Sequence, residues 1–172
     1  RQVFVYRFPS AEFSYEVAAD RIQPEVSVSQ IVIYQLAESD RVITADVELD
    51  IREAALREWD IRIPADYSVV SVTGAGVADY VVGSQAEGAE RNLKVIFAQE
   101  VSGRQLVSLY LEKNEPAAAG DWTLPRLIFP DAKTVRGDIG IAGAPGFRIA
   151  VDEVDLLVEK PLSYFPKPIA NL

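Results

Sequence analysis

The 172-residue chain contains no cysteine, no histidine and no methionine. Without cysteine there is no disulfide, no thiolate metal site and no thiol nucleophile. The compartment stays open, because exported domains also occur without cysteine. Without histidine the commonest general base and the commonest zinc ligand are missing, and a Ser-His-Asp or Cys-His catalytic arrangement is impossible within the chain. Methionine is absent even at position 1, where the chain opens "RQVFVYRFPS". That opening gives the expectation of a processed or excised piece of a longer product. No apolar run approaches the roughly 20 residues that span a bilayer, so a membrane-spanning helix is not expected. Basic residues are in deficit, 17 against 26 acidic ones, for a net charge of -9. Phosphates reward a basic face, so a nucleic-acid partner is disfavoured; an acidic surface serves solubility.

What the chain does have is alternation. In "VITADVELDIR", Ile43, Ala45, Val47, Leu49 and Ile51 share one phase, and Thr44, Asp46, Glu48, Asp50 and Arg52 the other. Successive side chains on a strand point to opposite faces, so this run predicts a strand with one buried and one wet face. The same rhythm places Trp59, Ile61 and Ile63 inward in "EWDIRIP", and Val107, Leu109 and Leu111 inward in "RQLVSLYLE". It also gives one face to Phe13, Tyr15, Val17 and Ala19, and another to Val135, Ile139 and Ile141. Further strands are predicted at Val3–Phe8, Val26–Ala37, Tyr67–Thr73, Val77–Val82, Leu93–Gln99 and Leu124–Phe129. In "GFRIAVDEVDLLVEK" the apolar phase flips at Asp152-Glu153, which predicts a long strand with a bulge or tight turn there. Only "REAALRE", Arg52 to Glu58, has a helical look. It is too short for a stable helix and is read as one helical turn between two strands, with extended chain as the alternative.

The fold class predicted is therefore all-β: an antiparallel β-sandwich of about ten to twelve strands with almost no helix. The domain organisation predicted is one sandwich domain over 1–160, followed by a proline-rich edge segment or linker over 161–172, where Pro161, Pro166 and Pro168 exclude a central strand. A faint internal repeat links Trp59 with its "IRIP" to Trp122 with its "LPRLIFP".

Each candidate motif meets a plainer explanation. Gly74-Ala75-Gly76 follows an apolar run, but the third position of a dinucleotide fingerprint is Asp79 and a strand pattern follows instead of a helix. Hairpin glycines at positive φ are expected there instead. Arg136-Gly137-Asp138 spells an integrin-type tripeptide, yet it lies inside an alternating strand, with Gly137 making room for a neighbour. Asp46, Glu48 and Asp50 form an acidic row that could hold calcium; the expectation is a solvated face balanced by basic neighbours such as Arg62. Asp152, Glu153 and Asp155 are read the same way. Trp59 is expected in the core, Tyr110 on a polar face and Trp122 at a rim, the last two being possible sugar-stacking rings. The pairs Phe8-Pro9, Phe129-Pro130 and Phe165-Pro166 are read as anchored strand ends. No catalytic, cofactor-binding or metal-binding residue is assigned, and no cofactor.

The order of "EWDIRIPADYSVVSVTGAGVADYVV", "NLKVIFAQEVSGRQLVSLYLE" and "WTLPRLIFPDAKTVRGDIGI" resembles β-rich segments of large bacterial envelope or secreted proteins, over Asp40 to Ala150. The resemblance implies an extracytoplasmic setting and flanking domains in a longer chain. The function expected is non-enzymatic: a structural or binding module presenting a sheet face or edge to a protein or glycan partner. The alternative is an accessory or partial domain of a carbohydrate-active enzyme.

Overall fold

The computed structural model describes residues 3–37, 39–115, 123–146, 148–151 and 153–167. Six strands are present among them: β1 (Glu25–Leu36), β2 (Arg41–Pro64), β3 (Ser68–Thr73), β4 (Val77–Glu87), β5 (Glu90–Lys113) and β6 (Ala132–Gly143). The sole helical element among the described residues is a single 3-10 turn at Leu162–Tyr164. The all-β class therefore holds.

The organising element is the antiparallel ladder of β2 and β5, each 24 residues long. It runs unbroken from Arg41↔Lys113 to Ile51↔Gly103, and again from Glu58↔Ile96 to Pro64↔Glu90. Between these halves the register slips twice. Ile51 to Leu56 spans Gly103 to Val101, and Leu56 to Glu58 spans Val101 to Ile96, so first β2 and then β5 carries the extra residues. The backbone turns left-handed at Glu53 (φ 65°) and Gly103 (φ 69°). Paired bulges of this kind bend a sheet sharply, as at the corner of a sandwich.

The connection from β2 to β3 shows how far the ladder bends. Residues 65–67 leave the Pro64 end of the ladder, and β3 then pairs with the opposite end of β5, Ser68 facing Glu112. The Ala65 N–H donates to the Ala89 carbonyl (2.9 Å), while Lys113 Nζ donates to Asp66 (2.8 Å). Thus one short link touches both ends of β5. Straight, those ends would stand about 80 Å apart. The ladder is folded back on itself, and its two halves lie in two facing layers.

The broad layer has the order β6-β1-β2-β5-β3, using the first half of β2 and the second half of β5. The narrow layer holds the second half of β2, the first half of β5, and β4. β3 and β4 both run antiparallel to β5, one along each half, so together they follow it round the corner. The alternation of β2 and β5 now explains the core: Ile43, Val47, Leu49 and Leu111 from one layer and Ile61, Ile63, Leu93 and Val95 from the other belong to one buried cluster. Fully burying each such side chain contributes about 1.5–3 kcal/mol.

The margin of the narrow layer beside β2 is closed by chain that is not a strand. Arg62 and Ile128 exchange two backbone hydrogen bonds, at 2.8 and 3.0 Å. Leu127 and Phe129 enter the core from this segment. The Tyr34 hydroxyl, on β1, donates to the Pro125 carbonyl. Burial first, then the neighbouring Tyr67, pushes the Tyr34 phenol up to about 12.

Several expectations are corrected. The ten to twelve strands become six, because Val42–Arg52 and the "EWDIRIP" strand are one bent strand, as are Leu93–Gln99 and "RQLVSLYLE". "REAALRE" is neither a helical turn nor a break but the bulged corner of β2. The sheet is not wholly antiparallel: β1 and β6 pair in parallel. Val3–Phe8, Phe13–Ala19 and the described part of Gly146–Lys160 form no strand, and Leu124–Phe129 contributes one bridge. Gly74 and Gly76 do not close a hairpin, since β3 and β4 pair with β5 and not with each other. Neither is at positive φ. Gly74 is needed for close approach, because a β-carbon there would overlap the Leu106 carbonyl oxygen.

Two outcomes follow. Gly74→Ala should lower the unfolding free energy by about 1–3 kcal/mol in urea, as overpacking against backbone does. Gly76→Ala, whose β-carbon would meet nothing closer than 3.4 Å, should stay within about 0.5 kcal/mol; equal effects would contradict the corner geometry. Because the folded state holds the Tyr34 proton more tightly than the unfolded chain does, that stabilisation is complete below pH 10 and is lost as pH rises towards about 12. A thermal-melt series over that window should therefore fall less steeply for Tyr34→Phe than for the wild type; parallel curves would contradict the assignment.

Candidate functional site

On the described surface Lys113 pairs with both Asp66 and Glu115, an ion-pair cluster apart from the groove at the corner. Among the described residues no group of three or more acidic side chains could hold a metal ion. A shallow groove of about 470 Å³ lies at the corner, between Ala75-Gly76 and the β5 bulge at Ala98–Ser102. Its walls combine small and apolar residues with the amides of Gln99 and Gln105, the Ser102 hydroxyl and one carboxylate, Glu100. It has no pair of groups that could act as acid and base.

The acidic row of β2 is balanced, though not by Arg62, which lies in the other layer. Asp46 accepts from Ser108 (2.8 Å) and pairs with Lys167; Glu48 is 4.0 Å from Arg104; Asp50 pairs with Arg52 at 2.6 Å. The hydrogen bond from Arg52, then the charges of Arg52 and Arg104, hold the Asp50 carboxyl below its usual range. Lys160 reaches Asp138 on β6 at 2.7 Å, so the segment 160–167 lies across the wet face of the broad layer from β6 to β2. Of the second acidic cluster, Asp152 lies outside the described residues.

The aromatic candidates separate cleanly. Trp59 is in the core, with its indole N–H lacking a hydrogen-bond partner, so it is no stacking platform. Tyr110 is half-buried on the wet face of β5. Trp122 lies outside the described residues, as do Phe147 and Pro168. Phe129 anchors its segment in the core as expected, whereas Phe8 is exposed.

The Arg136-Gly137-Asp138 tripeptide sits in β6, where Arg136 donates to Ser29 (3.0 Å) and Asp138 holds Lys160. Its surroundings carry the most unusual surface of the molecule. In the parallel register Val135 lies beside Val28, Gly137 beside Gln30 and Ile139 beside Val32. Val28 and Val32 are buried at 1% and 2% exposure, yet Val135 and Ile139 are 48% and 42% exposed. They are in the core phase, as expected, but the narrow layer does not extend over them. Gly137 lets β6 approach β1, since a β-carbon there would overlap the Gln30 carbonyl oxygen and side chain. Gln30 itself stands in the core phase opposite Val47, and its Oε1 is buried without a hydrogen-bond partner. Such an orphan costs about 1–3 kcal/mol until something donates to it. Among the described residues β6 also pairs on one side only, which leaves its outer backbone edge open there.

A second exposed apolar surface lies before β1. Tyr6 and Tyr15 have ring centroids 5.9 Å apart, and Phe8 and Phe13 stack at 4.6 Å. Each pair sums to the same register, so the chain doubles back at 9–12 in the manner of a hairpin, without a backbone ladder. Phe4 and Val17 continue the alternation, and all six side chains are exposed. Sequence reading found both strand-like runs but not their pairing; equal apolar spacing either side of Pro9-Ser10 was the available signal. Gln30 was missed because an isolated polar residue in an alternating run reads as a phase slip.

No helix among the described residues is long and apolar enough to cross a membrane. No protein-family model matches the chain, and no curated protein matches it. Among solved structures the chain is similar to a non-cellulosomal cohesin from the hyperthermophilic archaeon Archaeoglobus fulgidus, at 15% identity over 69% of this chain and 91% of that one, with a TM-score of 0.35. It is also similar to a chain of the CaDoc0917–CaCohA2 complex at pH 5.5, at 15% identity over 67% of this chain and 99% of that one, with a TM-score of 0.38. Neither places the chain in a family.

Proposed function

We propose that this chain is a non-enzymatic binding module of a larger bacterial envelope or exported protein, a single sandwich with a proline-rich linker, and that it takes a protein partner along the β6 margin. The observation that carries the reading is the open margin itself: core-phase Val135 and Ile139 exposed beside an unpaired strand edge, with the orphan Gln30 Oε1 next to them. An extended peptide laid there gains backbone hydrogen bonds from the edge, and its alternate side chains cover the two aliphatic residues. A sugar ring is favoured by an exposed aromatic platform, and the margin has none among the described residues. The net charge of -9 agrees with a protein partner and disfavours nucleic acid.

The test is selection from a displayed peptide library on protein immobilised sparsely enough that copies cannot meet, with a glycan array in parallel. Alternating apolar, strand-forming peptides should be enriched on the wild type and lost on Val135→Arg and Ile139→Arg. Specific glycan binding with no peptide enriched would overturn the reading and favour a carbohydrate-directed module.

A further inference from the structure

The outer, wet face of the broad layer carries a covered apolar patch that the core does not explain. Along β1 the wet phase runs through Ser27, Ser29, Ile31, Ile33 and Gln35, yet Ile33 is only 4% exposed. Val42 on β2, also in the wet phase, is 7% exposed. Neither belongs to the buried core cluster. Gly140, which flanks Ile33 on β6, is buried too, although Val135, Arg136, Gly137 and Ile139 of the same edge strand are exposed. Something lies over this face, and the described chain that crosses it is the segment 160–167.

The strand register shows how that segment is held. Ile31 is paired with Asp138 on one side and Asp46 on the other, so two carboxylates flank an isoleucine in one lateral row. Lys160 reaches the first at 2.7 Å and Lys167 pairs with the second. The two carboxylate-bearing backbones stand about 10 Å apart, two strand spacings. Seven extended residue steps would cover about 24 Å. A 3-10 turn takes up the slack: the Tyr164 N–H donates to the Pro161 carbonyl (2.9 Å) and the Phe165 N–H to the Leu162 carbonyl (3.0 Å). Pro161 and Pro166 fix the backbone beside each lysine. Leu162 and Tyr164 stay exposed, and Phe165 alone of the segment's apolar side chains is half-buried.

We propose that this outer face is a docking site for a basic–aromatic–basic segment, and that residues 160–167 fill it as a salt-releasable strap, with Phe165 seated on Ile31 and Ile33 between the two lysine–carboxylate pairs. The site lies on the opposite face of β6 from Val135 and Ile139 and does not depend on the peptide reading there. Exposed ion pairs are individually weak. A strap held by two of them and one half-buried ring therefore opens readily, and opening bares Ile31 and Ile33.

The test is chymotrypsin cleavage of the wild-type chain between Tyr164 and Phe165, followed by mass spectrometry. Cuts after Tyr6, Phe13 and Tyr15 in the exposed N-terminal arm give the reference rate. Raising salt from about 0.01 M to about 1 M shortens the screening length from about 30 Å to about 3 Å, and should raise the 164–165 cut relative to the arm by about fivefold or more. The chain carrying Asp46→Asn and Asp138→Asn should show the faster ratio already at low salt, with no further rise. Reversing one pair, Asp138→Lys with Lys160→Glu, should restore slow cleavage. The site itself is read with a fluorescent peptide of residues 160–167. At low salt it should bind the full chain carrying Lys160→Gln and Lys167→Gln about tenfold more tightly than the wild type, whose tethered strap competes at high effective concentration. A cleavage ratio indifferent to salt and to the aspartate changes overturns the inference, as does an opened chain that binds no peptide.

Discussion

The rest of the structure depends on the corner where the β2·β5 ladder folds over. A 24-residue antiparallel ladder left straight would expose one long apolar face to water. Bending it near its middle lets that face cover itself. The bend needs extra residues on both strands and two left-handed backbone positions, Glu53 and Gly103, because a regular pleat cannot turn so sharply. Everything later in the chain is placed by it. Residues 65–67 can join opposite ends of β5 only because those ends have been brought together, and β3 and β4 track β5 round the same corner through Gly74, where a side chain would strike the backbone of β5.

The same geometry leaves the margin open. The narrow layer is made from half of each long strand plus β4, while the broad layer adds β1 and β6 on one side. The 124–129 segment covers β1 by inserting Leu127 and Phe129, and Tyr34 reaches across to it. Nothing among the described residues does the same for β6. An apolar phase that is buried on β1 is therefore half in water on the adjacent strand, and the one polar residue in that phase, Gln30, has an oxygen without a partner. These features have one cause, a layer too narrow by a strand or two. Strand-adding recognition is the role proposed for that surface.

Much of this was legible in the residues. Alternation identified the inward sides of β2 and β5 correctly, Trp59 and Phe129 were rightly placed in the core, and the failed dinucleotide pattern correctly excluded a helix after Gly76. What alternation cannot give is continuity or partnership. At Arg52–Glu58 the period breaks because the strand bulges, and a broken period reads equally as a turn. In Val3–Phe8 and Phe13–Ala19 the period is sound, yet no strand among the described residues pairs with them: the pattern says which side is apolar, not what covers it. β6 shows the same limit from the other direction, with the correct inward phase at Val135 and Ile139 and no layer above it. The hairpin reading of Gly74 failed for a steric reason, since glycine serves close approach as well as positive φ.

The fold-over itself is open to one direct distance. With spin labels on cysteines introduced at Ala89 and Asn114, just beyond the two ends of β5, pulsed dipolar spectroscopy reads their separation in the otherwise cysteine-free chain. The three-residue link that touches Ala89 and Lys113 limits the folded separation to below about 30 Å. A distribution centred there is the result this account requires. A separation approaching the ~80 Å of a straight ladder would contradict it.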